Sequence, residues 1–249
     1  MTIIHPYPIS LLHAFYFFSI GAIYTFIVQF KSLLAKHAVK SIPIFTLALF
    51  VPSEPLRSSP PSSLLNPNLK KFGKLALVLS GIADQFLLHT DKPVLFAIGG
   101  LLFFSAHVCY LLAYRPKQRL SHTPLSIFCF IVTLMMMVGL IIFIFPRLRK
   151  TPFFVFGVSV YLFIEVVLIS VLVQFPNTPD RCSRCHNRAI VGAFLFFVSD
   201  LILFNRVFAI ERFYFPSWAV MLTYYLAQFL LACSLNQVDC SHKTGEIKR

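Results

Sequence analysis

Three carboxyl side chains stand in stretches that are otherwise almost wholly apolar: Asp84 in 79-LSGIADQFLL-88, Glu165 in 160-VYLFIEVVLIS-170 and Asp200 in 191-VGAFLFFVSDLILFNRVF-208. An ionised carboxylate at the middle of a bilayer costs on the order of 2.5–3.5 kcal/mol even on a lenient insertion scale, so such groups usually face a cavity or a partner. Further polar groups recur at helical spacing. Gly100, Phe103, His107, Tyr110 and Tyr114 follow one another at three or four residues, which puts the imidazole and both phenols on one helical face. Tyr224, Tyr225 and Gln228 repeat the pattern near the end of the chain, Lys40 precedes Pro43, and Asp200 has Ser199 before it and Asn205 and Arg206 after it. Two carboxyls in a site of low dielectric divide the roles of proton donor and anion between them, which is the basis of general acid/base chemistry. The plainer alternatives are a structural polar network for the Asp and His residues, an interfacial anchor for Tyr114 and a snorkelling Lys40.

The elements that must hold these groups are membrane helices. The chain has 249 residues, 57% of them hydrophobic and 12% charged, and the apolar residues come in long blocks. A hydrocarbon core about 30 Å thick takes roughly 20 residues of helix, and 9–30 and 124–145 meet that without one formal charge. Strands are excluded unless they close a barrel, because lipid offers no partner to an open edge. The expected fold class is all-α: a polytopic membrane helix bundle of about eight transmembrane helices, near 9–30, 38–52, 72–88, 93–114, 124–145, 152–175, 188–208 and 216–236. The first lacks a basic lead and a small-residue cleavage site, so it is expected to be retained rather than removed as a secretory signal.

The connector 53–71 is rich in Ser and Pro and reads as a flexible loop, and 237–249 reads as a polar tail. The rest forms one bundle, so the chain is expected to be a single integral-membrane domain over 1–249. With eight spans both termini share a side, and that side carries thirteen Lys and Arg against nine on the other, which favours cytosolic termini. The formal charge of +13 is scattered over many loops. That distribution suits anionic headgroups and argues against a nucleic-acid partner. Cys109, Cys129 and Cys233 fall within spans as small hydrophobes. The loop 182-CSRCH-186 has the spelling of haem attachment, and Cys182, Cys185, Cys240 and His242 would suffice for zinc. Ordinary reduced loop cysteines are the expected outcome for both.

The segments SGIADQFLL, GLLFFSAHVCYLLAY, VGAFLFFVSDLILFNRVF and LTYYLAQFLLACS, in that order and at that spacing, resemble the YhhN-type membrane proteins, whose eukaryotic members are called transmembrane protein 86 and act as lysoplasmalogenases. The resemblance covers most of the chain. It implies an eight-helix fold with a polar pocket open to lipid, and hydrolysis of the vinyl ether of a lysoplasmalogen to a fatty aldehyde and a glycerophospho-ethanolamine or -choline. By resemblance, Asp84 and Asp200 are the paired catalytic aspartates. Lys40, His107, Tyr110, Tyr161, Ser199, Asn205, Tyr224, Tyr225 and Gln228 are the expected substrate-binding residues. The implied partners are a lysophospholipid substrate, water and membrane lipids. The implied location is an integral, multi-pass one, in the endoplasmic reticulum if the source is eukaryotic. The sequence departs from the family at Ala83, where Gly is common, and at Glu165, which matches no family position.

The implied chemistry agrees with the residue types. A vinyl ether resists bases and opens when its outer alkene carbon is protonated, giving an oxocarbenium ion that water captures. The site must supply an acid, stabilise a cation and activate water, as paired carboxyls do in glycosidases. No metal or organic cofactor is required. A proton-coupled transporter would also bury carboxyls and a His, but the sequence has no convincing inverted repeat. A catalytically silent lipid-binding protein is the other alternative.

Overall fold

The computed structural model describes residues 15–16, 19–20, 33–51, 68–89, 92–115, 124–148, 151–174, 183–208 and 216–235, with side chains from residue 40 onward in the 33–51 segment. Among the described residues every regular element is a helix: α1 Leu33–Phe50, α2 Leu69–Leu87, α3 Pro93–Tyr114, α4 Pro124–Leu148, α5 Pro152–Val173, α6 Ser183–Phe208 and α7 Ser217–Leu235. The expected span at 9–30 lies outside the described residues but for four positions, as do the loop up to residue 67 and the 237–249 tail.

Eight spans are therefore more than the structure supports. Among the described residues five helices are long and apolar enough to cross a membrane, namely α3 to α7. Helix α1 has only Lys40–Phe50 as an apolar stretch. Helix α2 carries Lys70, Lys71 and Lys74 in its first two turns and Asp84 near its end, which lowers its hydropathy although its length would serve. Helix ends also differ from the expected spans. Helix α6 begins at Ser183, not near 188, so Ser183–His186 is its first turn, with Cys185 and His186 buried. The expected loop cysteine at 185 is thus a packed helical residue outside any disulfide. The other candidate zinc ligands, Cys182, Cys240 and His242, fall outside the described residues.

Short connections force neighbours to run antiparallel. Between α2 and α3 a tight turn is held by His89 N–H to the Phe86 carbonyl at 3.1 Å and Lys92 N–H to the His89 carbonyl at 3.0 Å. Pro93 and Pro152 then open α3 and α5, where a missing N–H costs nothing. Helix α2 packs most closely on α3, α6 on α7, and α4 on α5, while α1 lies against α2 and α7, and α5 bridges α3 and α6.

Helix association in lipid rests on close packing more than on expulsion of water. Small residues supply it here. A Cβ on Gly192 of α6 would meet the Ala227 carbonyl oxygen and the Leu231 nitrogen of α7, each at 3.1 Å, so glycine lets these backbones approach without displacing either. The outward faces are apolar, as with Met135 and Ile142 of α4, 69% and 68% exposed, a surface suited to acyl chains. Most span hydroxyls bond back to a carbonyl four residues earlier, as Ser170 does to Val166 at 2.7 Å, and carry no message about function.

Candidate functional site

The three intramembrane carboxyls are all at least 95% buried, and each meets partners from other helices. Asp84, one turn before the end of α2, receives two of them. Lys40 Nζ from α1 lies 3.0 Å from its Oδ1, and the Tyr224 hydroxyl from α7 donates to its Oδ2 at 2.9 Å. Lys40 Nζ also reaches the Asp84 backbone carbonyl at 3.5 Å. One turn before Pro43, whose missing N–H interrupts the helical ladder, the Lys40 carbonyl accepts the Tyr225 hydroxyl at 2.9 Å. Ser41 donates to the Gly81 carbonyl at 2.8 Å, and Gln85 donates to Ser41. These bonds tie α1, α2 and α7 around one ion pair. Lys40 is its more open end, with its side chain 12% exposed.

Asp200 sits in the second half of α6 with other partners. The Tyr161 hydroxyl from α5 donates to its Oδ2. Its nearest carboxyl neighbour among the described residues is Glu165, one turn after Tyr161. His107, Glu165 and Asp200 place one ligand atom each within 4.8 Å of one another. His107 Nδ1 is 2.8 Å from the Phe103 carbonyl, and its Nε2 is 2.9 Å from Glu165 Oε1. These three are the one described group of His, Cys and carboxyl donors close enough to share a cation. The distances would admit a metal ion or a shared proton.

Aromatic rings fill the space between the two centres. Phe196 of α6 packs edge-on against His107 at 4.5 Å and against Tyr224 at 5.4 Å between ring centroids, and Phe103 packs on both Phe196 and Tyr224. Edge-to-face pairs of this kind hold geometry as well as volume. The ring faces, which carry the negative end of the aromatic quadrupole, are the parts able to stabilise a developing cation.

The remaining expected residues divide. Tyr110 donates to Gln228 Oε1 at 2.6 Å, joining α3 to α7 beside the aromatic layer. Ser199 donates to the Val220 carbonyl at 3.1 Å and so fastens α6 to α7 instead of facing either carboxyl. Asn205 is partly exposed and more than a turn beyond Asp200, with no bond to the clusters. Sequence reasoning overlooked Ser41 and Gln85, whose only signal was their place beside Lys40 and Asp84 on helical faces. It also left Glu165 without a place, which the packing of α5 between α3 and α6 provides.

No curated protein and no solved structure matches this chain. The family model described as the YhhN family matches residues 35–235, which include both carboxyl clusters and all seven described helices from residue 35 onward, and by that match the chain belongs to the YhhN family.

Proposed function

We propose that this YhhN-family membrane protein is a hydrolase that cleaves the vinyl ether of lysoplasmalogens, releasing a fatty aldehyde and a glycerophospho-ethanolamine or -choline. The observation that carries this reading is a pair of buried aspartates, Asp84 and Asp200, on separate helices and lined by Tyr224 and Tyr161 with aromatic rings between them. The family includes lysoplasmalogenases, which supports the same conclusion.

The reaction needs a proton on the outer alkene carbon, an anion beside the oxocarbenium ion and a water delivered to it. Among the described residues no Lys or Arg forms an ion pair with Asp200, which takes the role of proton donor. Asp84 is held as an anion by the Lys40 ammonium and stabilises positive charge in the aromatic layer. Lys40, the more exposed end of its ion pair, is placed for the phosphate of the headgroup. Tyr110 and Gln228 fix the distance between α3 and α7. Aldehyde release from a lysoplasmalogen by purified protein tests the proposal, and a well-folded protein that releases none would refute it.

A further inference from the structure

His107 and Glu165 meet in a way that neutral histidine and ionised glutamate do not satisfy. The Phe103 carbonyl can only accept, so His107 Nδ1, 2.8 Å away, must carry a proton and donate it. In a neutral ring Nε2 is then a lone pair. It lies 2.9 Å from Glu165 Oε1, which in a carboxylate is a second lone pair, and two acceptors do not rest at that distance with nothing between them. Both groups are 2% exposed or less, and Nε2 and both Glu165 oxygens are buried with no hydrogen-bond partner, so their close approach is left unsatisfied. A proton between them removes the conflict. In a hydrocarbon setting the neutral form, with Glu165 donating O–H to Nε2, avoids the desolvation of an ion pair.

The geometry points to Glu165 as a proton-holding residue that serves Asp200, with His107 as the neighbour that holds the Glu165 carboxyl in place. The inference deepens the hydrolase reading and rests on it. The titratable groups facing Glu165 are His107 from α3, Asp200 from α6 and Tyr161 one turn back on α5. Helix α4 contributes no acidic residue and no His. In the cycle, Asp200 gives its proton to the outer alkene carbon and becomes a carboxylate. Glu165 hands its own proton to Asp200, which lies within 4.8 Å, near enough for transfer directly or through one water. Water adds to the oxocarbenium ion and loses a proton, which returns to Glu165. The hemiacetal then collapses to aldehyde and alcohol, so no proton is gained or lost over the turnover. Glu165 touches Asp200 and His107 and is a positioning residue, not the group that meets the substrate.

The test is infrared spectroscopy of the purified full chain in lipid nanodiscs, in H2O and D2O at neutral pH, for wild type and Glu165→Gln. The expected result is a protonated-carboxyl C=O band that moves in D2O and is lost in Glu165→Gln. In the lysoplasmalogen assay Glu165→Gln should lower kcat by about tenfold or more, leave KM within about twofold and flatten the pH profile, with Glu165→Asp recovering part of the rate. Should Glu165→Gln not yield folded protein, the change in band frequency in Glu165→Asp carries the same assignment. A wild type without the band, a band unchanged by both substitutions, or a stoichiometric divalent metal bound to the wild type and lost on His107→Ala would each overturn the inference. A Glu165 band in a protein that releases no aldehyde would support the proton pair and overturn the hydrolase reading.

Discussion

The Lys40 ammonium lies 3.0 Å from Asp84 Oδ1, so the first of the two buried aspartates brings its own countercharge from a helix 44 positions earlier in the chain. Tyr224 completes the cluster from the last described helix. Asp200, by contrast, is paired with a phenol and neighboured by a second carboxyl. Two aspartates of one residue type therefore have different surroundings, and different roles follow.

The Lys40 and Asp84 substitutions should be strongly non-additive. Removing one partner of a buried ion pair leaves an uncompensated charge and costs about 3–5 kcal/mol. Lys40→Met and Asp84→Asn should each lower the thermal midpoint of the detergent-solubilised protein, and the double variant should be no worse than the poorer single. Additive losses would mean that the pair does not form.

Gly192 should tolerate no large side chain. Gly192→Leu drives carbons into the Ala227 carbonyl and the Leu231 backbone, and overpacking of this kind costs about 1–3 kcal/mol or more. Gly100, whose added Cβ would meet nothing within 4 Å, is the control: Gly100→Ala should leave stability unchanged or raise it. The ranking of midpoints in a thermal unfolding series checks both.

How far the sequence leads depends on the kind of feature. Asp84, Asp200, His107 and the Tyr224–Tyr225 pair stand out because polar groups are costly in apolar helices, and all of them fall in the two clusters. Lys40 stands out in the same way. Which carboxyl lies beside Asp200 was not legible, because it depends on α5 packing between α3 and α6, and no periodicity within α5 encodes that neighbour. Ser41 and Gln85 were overlooked because most polar residues of their size in a span merely bond to their own helix. The start of α6 was misplaced because hydropathy marks where a segment becomes apolar, whereas the helix continues through the polar turn Ser183–His186.

Ester-linked lysophospholipids should bind without being cleaved. The site holds carboxyls, phenols and an imidazole, but no Ser-centred nucleophile elbow. A free fatty acid assay with lysophosphatidylcholine should stay at background, and rapid fatty acid release would contradict the proposed chemistry.

His107→Ala should lower turnover while leaving the protein folded and membrane-inserted. The ring meets Glu165 at 2.9 Å and packs on Phe196 and Tyr161, so its loss disturbs the Asp200 side of the site more than the Lys40 side. Unchanged kcat and KM would remove His107 from the machinery.

The most direct test of the central claim is aldehyde release from a lysoplasmalogen by wild type, Asp200→Asn, Asp84→Asn and the double variant, each verified as intact in detergent. Asn keeps size and hydrogen bonding but cannot donate a carboxyl proton or carry the anion. General acid/base groups are typically worth about 10²–10⁴-fold, so each single variant should lose a large part of the rate. Groups that act as a unit are not additive, so the double variant should be little worse than the poorer single. Near-normal aldehyde release by Asp200→Asn would contradict the account and leave the buried carboxyls as a structural network.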